Sequence, residues 1–198
     1  PSINRTAPHA NADRYIAIGS STGGVQTLEV ILTKLPINTL PIIIAQHMPA
    51  GFTDSFAKRL NTICQVSVKE AANGDRLQRG FVYIAPGDLH TMVKRIGGSY
   101  ILEVKDGPKV SRHKPSVDVL FRSCSNEGAK NCTAFILTGM GDDGAKGMKE
   151  LHDKGAATYA QDERSCIVYG MPKEAVLLGG VDKSVSPFQI VELIKKLN

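Results

Sequence analysis

The sequence predicts a doubly wound α/β domain: a mostly parallel sheet with helices on both faces, and one antiparallel hairpin. Three observations lead there. Short apolar runs of strand length alternate with segments of helical period. Runs such as 15–18, 41–45 and 133–137 are strongly apolar, as strands covered on both faces are. One pair of runs, 91–96 and 100–105, instead alternates around Gly97-Gly98, the pattern of a hairpin.

The elements follow in order. Residues 1–13 are rich in Pro, Ala, Asn and Ser without an apolar period and read as a linker or tail, leaving 14–198 as the domain. The first residue is Pro1 rather than Met, as expected of a fragment whose missing part lies upstream. A strand at 15–18 ends at Gly19, and Val25, Leu28, Ile31, Leu32 and Leu35 space a helix over 25–35. Strand 41–45 and helix 52–63 repeat the unit, and 65–69 and 81–84 are further strands. After the hairpin come a helix at 117–124, with Ser116 or Pro115 near its start, and a strand at 133–137. Helix 145–154 is stopped by Gly155. Strand 156–160, a short helix at 172–178 with Pro in its first turn, and an amphipathic helix at 187–197 close the chain.

Composition narrows the function classes. At roughly 150 residues per domain, 198 residues predict one domain. With 42% apolar and 22% charged residues the chain is globular rather than disordered. No apolar run approaches the ~20 residues that cross a bilayer, and no signal segment opens the chain, so a cytoplasmic protein without membrane insertion is expected. Cys64, Cys124, Cys132 and Cys166 lack zinc or redox spacing, so free thiols and no metal are expected. A net charge of +5, with no basic run interleaved with aromatics, is too mild for a nucleic-acid partner.

Ligands of open parallel sheets bind at the carboxyl ends of the strands. Three polar clusters stand there: Gly19-Ser20-Ser21-Thr22-Gly23-Gly24, Gln46-His47-Met48-Pro49 and Gly139-Met140-Gly141-Asp142-Asp143-Gly144. Gly19-x-Ser21-x-Gly23 between a strand and a helix fits a nucleophile elbow, with backbone N–H groups such as that of Thr22 able to hold an oxyanion. The same glycines fit a phosphate-binding loop, although the Gly-x-Gly-x-x-Gly order and a following Lys are missing. His47 has the chemistry of a general base, or of a hydrogen-bonded strand-end residue. Asp143 suits an imidazole-orienting acid or a plain N-cap, and spacing does not separate it from Asp142. His9, His90, His113 and His152 read as surface or packing residues, with His113 disfavoured as a base by Arg112 and Lys114. His90, following Pro86-Gly87-Asp88 at an expected strand end, also fits a residue that lines the cleft without acting in it. The order Ser, His, Asp differs from the Ser, acid, His of α/β-hydrolases.

The glycine-serine cluster, Gln46-His47-Met48-Pro49, Tyr83-Ile84-Ala85-Pro86-Gly87-Asp88, Arg112-His113-Lys114-Pro115-Ser116-Val117-Asp118 and Leu137-Thr138-Gly139-Met140-Gly141-Asp142-Asp143-Gly144 closely resemble the catalytic domain of the CheB family, the protein-glutamate methylesterases of bacterial chemotaxis. The likeness runs from about Tyr15 to the last helix. It implies a catalytic serine at Ser21, histidine at His47 and aspartate at Asp143, and an oxyanion contribution from the Met140 N–H. The position before the aspartate, often Asn in the family, is Asp142 here. The resemblance further implies hydrolysis of glutamate methyl esters, with methanol released, and deamidation of glutamines on chemoreceptor cytoplasmic helices. No cofactor is needed. An N-terminal receiver domain, phosphorylated by the chemotaxis kinase, is implied in the full-length protein.

Overall fold

The computed structural model describes residues 11–198. Its first half runs β1 (Tyr15–Ser20), α1 (Gly24–Leu32), β2 (Ile42–Gln46), α2 (Phe52–Ile63), β3 (Ser67–Glu70), β4 (Phe81–Ile84), β5 (His90–Ile96) and β6 (Ser99–Lys105). Then come α3 (Val117–Gly128), β7 (Cys132–Ile136), α4 (Ala145–Asp153), β8 (Ala157–Gln161), α5 (Met171–Leu177), β9 (Lys183–Val185) and α6 (Pro187–Lys196). Among the described residues, seven strands form one parallel sheet in the order β3-β4-β2-β1-β7-β8-β9. The antiparallel β5–β6 hairpin is a separate two-stranded sheet.

Alternate side chains of the strands feed two apolar layers. Ile16, Ile18, Ile42, Ile44, Phe135 and Leu137 pack with α1, α2 and α6. Tyr15, Ala17, Ile43, Ala45, Ala134 and Ile136 face α3, α4, α5 and the hairpin. The small residues on this second face let α3 come close. A Cβ on Gly19 would fall inside the Val117 side chain, so the first turn of α3 sits against the end of β1.

The structure differs from the sequence expectation at helix ends, at strand ends and in one missing strand. α1 stops at Leu32, short of the expected 35, and α3 runs on to Gly128, past the expected 124. β1 and β2 continue to Ser20 and Gln46, polar residues that are nonetheless buried. β9 has three residues and no hydrophobic pattern of its own; pairing with Tyr159, Ala160 and Gln161 of β8 makes it a strand. Residues 1–10 of the expected linker lie outside the described residues. Within its remainder, Asn11 bridges to Gln78, and Ala12 is buried with its N–H donating to Leu77 O at 3.4 Å.

The topology places the site. From β1 the chain winds outward through β2, then returns to the opposite side of β1 as β7. That reversal opens a crevice beyond the carboxyl ends of β1, β2 and β7.

Candidate active site

Ser21 follows β1 at the mouth of this crevice and is partly exposed. Gly23, with φ 82°, turns the chain from strand into α1, a left-handed conformation that glycine adopts at little cost. Gln46 clamps the turn from the neighbouring strand: its Oε1 accepts from Ser20 Oγ, and its Nε2 donates to Ser21 O at 2.9 Å. From the other side Ser21 N–H donates to Thr138 O at 2.9 Å. A Cβ on Gly139 would lie 2.8 Å from Ser21 Cβ, so only glycine lets that segment run so close. Because Ser21 N–H is committed to Thr138, an oxyanion at Ser21 must draw on other donors.

His47 leaves β2 beside the elbow, its N–H donating to Ser20 O at 3.1 Å. Its Nε2 bonds Asp143 Oδ2 at 2.7 Å, and because the carboxylate only accepts, Nε2 carries the proton. Nδ1 is buried and has no hydrogen-bond partner among the described residues. The ring therefore faces Asp143 with Nε2 and keeps Nδ1 as the unengaged nitrogen, the reverse of the familiar serine-protease arrangement. The structure thus joins His47 to Asp143 and sets Ser21 on the adjacent strand end, without a bond from the serine hydroxyl to Nδ1.

Of the two aspartates that spacing left open, only Asp143 reaches the histidine. It is 1% exposed and accepts from Ser116 Oγ (2.8 Å), Val117 N–H (2.8 Å) and Asp118 N–H (2.9 Å) as well as from His47. These groups are the N-cap and first turn of α3, whose unpaired N–H groups and positive dipole end suit a carboxylate. Burial alone would push the Asp143 carboxyl upward. The bonds from His47, Asp118 and Val117 outweigh it and hold the group below the ordinary aspartate value. Asp142 is exposed and pairs with Arg112 at 2.9 Å.

Sequence reasoning assigned no role to His113, which lies against His47 with ring centroids 3.6 Å apart and planes 6° from parallel. It sits on a tight turn in which Val110 and His113 exchange two backbone hydrogen bonds of 3.0 Å. Ser111 and Arg112 between them have φ of 50° and 69°. Burial pushes the His113 imidazole below its ordinary value; His47, Arg112 and Lys109 push the same way, and Asp143 opposes them. Ser116 and Gln46 were likewise missed. The signal for His113 and Ser116 was the run from Arg112 to Asp118, one of those carrying the family resemblance.

A cavity of about 270 Å³ opens in front of the two imidazoles, edged by Lys109, Arg112, Lys114 and Asp88. A larger one, about 410 Å³, lies beyond Arg112 against Asp142, Lys146 and Glu174, and neither Ser21 nor His47 lines it. Of the expected oxyanion donors, Thr22 follows Ser21 in the elbow, and Met140 follows Gly139, whose segment runs close to Ser21.

The CheB methylesterase family model matches residues 16–194. The chain is 57% identical over 178 residues to a protein-glutamate methylesterase/protein-glutamine glutaminase of Dechloromonas aromatica, a match covering 90% of this chain and 50% of that protein. It is 59% identical over 182 residues to one of Chromobacterium violaceum, covering 92% of this chain and 51% of that protein. Among solved structures, the CheB methylesterase catalytic domain of Thermotoga maritima is similar, with a TM-score of 0.90 and 38% identity across 94% of this chain and 100% of that one. The chain spans about half the length of the curated relatives it matches.

Proposed function

The chain belongs to the CheB methylesterase family, and on that premise we propose that it is a serine hydrolase acting on glutamate methyl esters of chemoreceptor cytoplasmic helices. Methanol is the released product, and glutamine side chains at equivalent positions are deamidated by the same groups. The observation that carries this reading is the His47–Asp143 pair, 2.7 Å apart, on segments that follow β2 and β7, the strands on either side of β1 and its Ser21 elbow.

Each residue has one task. Ser21 Oγ attacks the ester carbonyl carbon while His47 Nδ1 takes its proton. Asp143 holds the Nε2–H and stabilises the imidazolium that forms. The backbone N–H groups of Thr22 and Met140 receive the oxyanion. Collapse of the tetrahedral intermediate breaks the bond to the methoxy oxygen, which leaves as methanol with the proton from Nδ1. Water then attacks the acyl-enzyme, gives a proton to Nδ1, and that proton returns to Ser21 Oγ as glutamate departs. With a glutamine substrate, ammonia leaves in place of methanol.

The greater length of the curated relatives leaves room for a receiver domain. In the full-length protein this domain, phosphorylated by the chemotaxis kinase, regulates access to the crevice by shifting between covered and open arrangements. No described helix is long and apolar enough to cross a membrane.

The test is incubation with a receptor cytoplasmic fragment carrying labelled methyl esters, followed by measurement of volatile methanol. Release that requires the protein supports the reading; a fragment that keeps its label through prolonged incubation overturns it.

A further inference from the structure

Outside the residues that meet substrate, one buried side chain ties the parts of the site together. His90, at the start of β5, is 5% exposed. Its Nε2 bonds Pro108 O at 2.7 Å, and its Nδ1 bonds Ser116 N–H at 3.3 Å. A carbonyl only accepts and a backbone N–H only donates, so Nε2 must be the protonated nitrogen and Nδ1 the acceptor. Both nitrogens are used, each on a different end of the same segment.

That segment, 106–116, leaves the end of β6 and arrives at the N-cap of α3. Its tip carries Arg112 and His113, the latter stacked on His47. Its end carries Ser116, whose Oγ donates to Asp143, followed by the two N–H groups that also bind Asp143. The tip is held separately, by Ser111 Oγ on Asp118 Oδ2 at 2.7 Å. The two feet of the segment, Pro108 and Ser116, meet on His90.

We propose that His90 is a positioning residue for the esterase reaction, buckling both feet of the 106–116 segment so that Ser116 and His113 bear on Asp143 and His47. The inference rests on the catalytic reading above. The two ring nitrogens have separable effects. Losing the Nδ1 acceptor frees the Ser116 backbone and disturbs Asp143, and with it the chemical step. Losing the Nε2 donor frees Pro108 and loosens the segment at the cavity edge, where substrate binds.

Three variants separate these effects. Asn places an acceptor where Nδ1 stood, Gln places a donor where Nε2 stood, and Phe has neither. In H90F, kcat/KM falls roughly 10- to 100-fold, the scale of a small misplacement of catalytic groups. H90N restores kcat but keeps a raised KM, whereas H90Q restores KM but keeps a lowered kcat. The proton NMR signal of the His47–Asp143 hydrogen bond, read without substrate, shifts in H90F and H90Q and stays in place in H90N. Wild-type kcat/KM in H90F, an unmoved signal in H90F, or equal kinetic losses in all three variants overturns the proposal. A wild-type protein without esterase activity would sink the catalytic reading instead, and the NMR comparison would still decide whether His90 positions the pair.

Discussion

His113 lies flat on His47, 3.6 Å between ring centroids, so one face of the proposed general base is covered by a second imidazole. Two unit charges about 4 Å apart repel by about 4 kcal/mol at an effective dielectric of ~20. The stack therefore resists double protonation. In the proposed mechanism His47 takes the Ser21 proton, and the close stack then disfavours a proton on His113, the direction in which burial and His47 already push its imidazole.

A pH-dependent stability follows for His113. The unfolded chain takes up a proton at the ordinary imidazole value near ~6.5, and the folded state only at lower pH. Between those points the unfolded state binds more protons, so stability present above ~6.5 is lost as pH falls through the folded value. His113→Phe keeps a flat ring and removes that component. Urea unfolding at several pH values from 7 down to about 5 is expected to show a shallower decline than in the wild type; an unchanged decline contradicts the assignment.

The neighbouring aspartates separate cleanly. Asp143→Asn is expected to lower kcat by roughly 10⁴, the cost of stabilising the wrong histidine tautomer in a serine triad. Asp142→Asn breaks only an exposed pair with Arg112 and is expected to stay within a few-fold of wild type. Steady-state methyl ester hydrolysis by the two variants checks this, and similar losses in both contradict it.

Asp143 also shapes the acid limb of stability. Its folded value is held below the ordinary one near ~3.9, so its contribution is present above that pH and disappears as pH falls through the folded value. In Asp143→Asn its share of that limb is expected to vanish, measured as a shallower loss of stability in acid than in wild type, and an unchanged loss contradicts it.

The two serines of the elbow differ in kind. Ser21→Ala is expected to abolish turnover and leave the fold intact. Ser20→Ala leaves Gln46 Oε1 without its donor in a buried site, costing about 1–3 kcal/mol of stability while most activity remains. Thermal unfolding and initial rates on both variants test the pair; loss of turnover with Ser20→Ala and retention with Ser21→Ala would reverse the assignment.

Gly19→Ala probes the packing that delivers α3 to Asp143. The new methyl would occupy the space of the Val117 side chain, an overpacking that costs about 1–3 kcal/mol. Because Val117 N–H is one of the donors to Asp143, activity is expected to fall together with stability. Stability and turnover both at wild-type levels would show that the close approach has no consequence.

Much of this was legible in the chain because the strands are short, apolar and bounded by turns. The runs at 52–63 and 81–84 coincide with α2 and β4 because a clear helical period and a fully apolar run leave little choice. The same local reading placed Ser21, His47 and Asp143 at strand ends. It did not reach contacts made across the chain. Asp143 gains three of its donors from residues 25–27 positions away, and His113 meets His47 across 66 positions, hidden in sequence between two cations that suggest a surface turn. Gln46, named in its cluster, received no role because an amide ending an apolar strand carries no pattern; its buried clamp on the elbow exists only once β1 and β2 pair. Asp142 and Asp143 are chemically alike in sequence, and the start of α3 distinguishes them in space.

In the proposed mechanism Ser21 is a nucleophile activated by His47 and Asp143. The most direct measurement is reaction of the protein with a serine-directed fluorophosphonate, followed by peptide mapping by mass spectrometry. The expected result is one adduct, on Ser21, absent in Ser21→Ala and formed much more slowly in His47→Gln and Asp143→Asn. An adduct on another residue, or labelling of Ser21 at the same rate in the His47 and Asp143 variants, would contradict it.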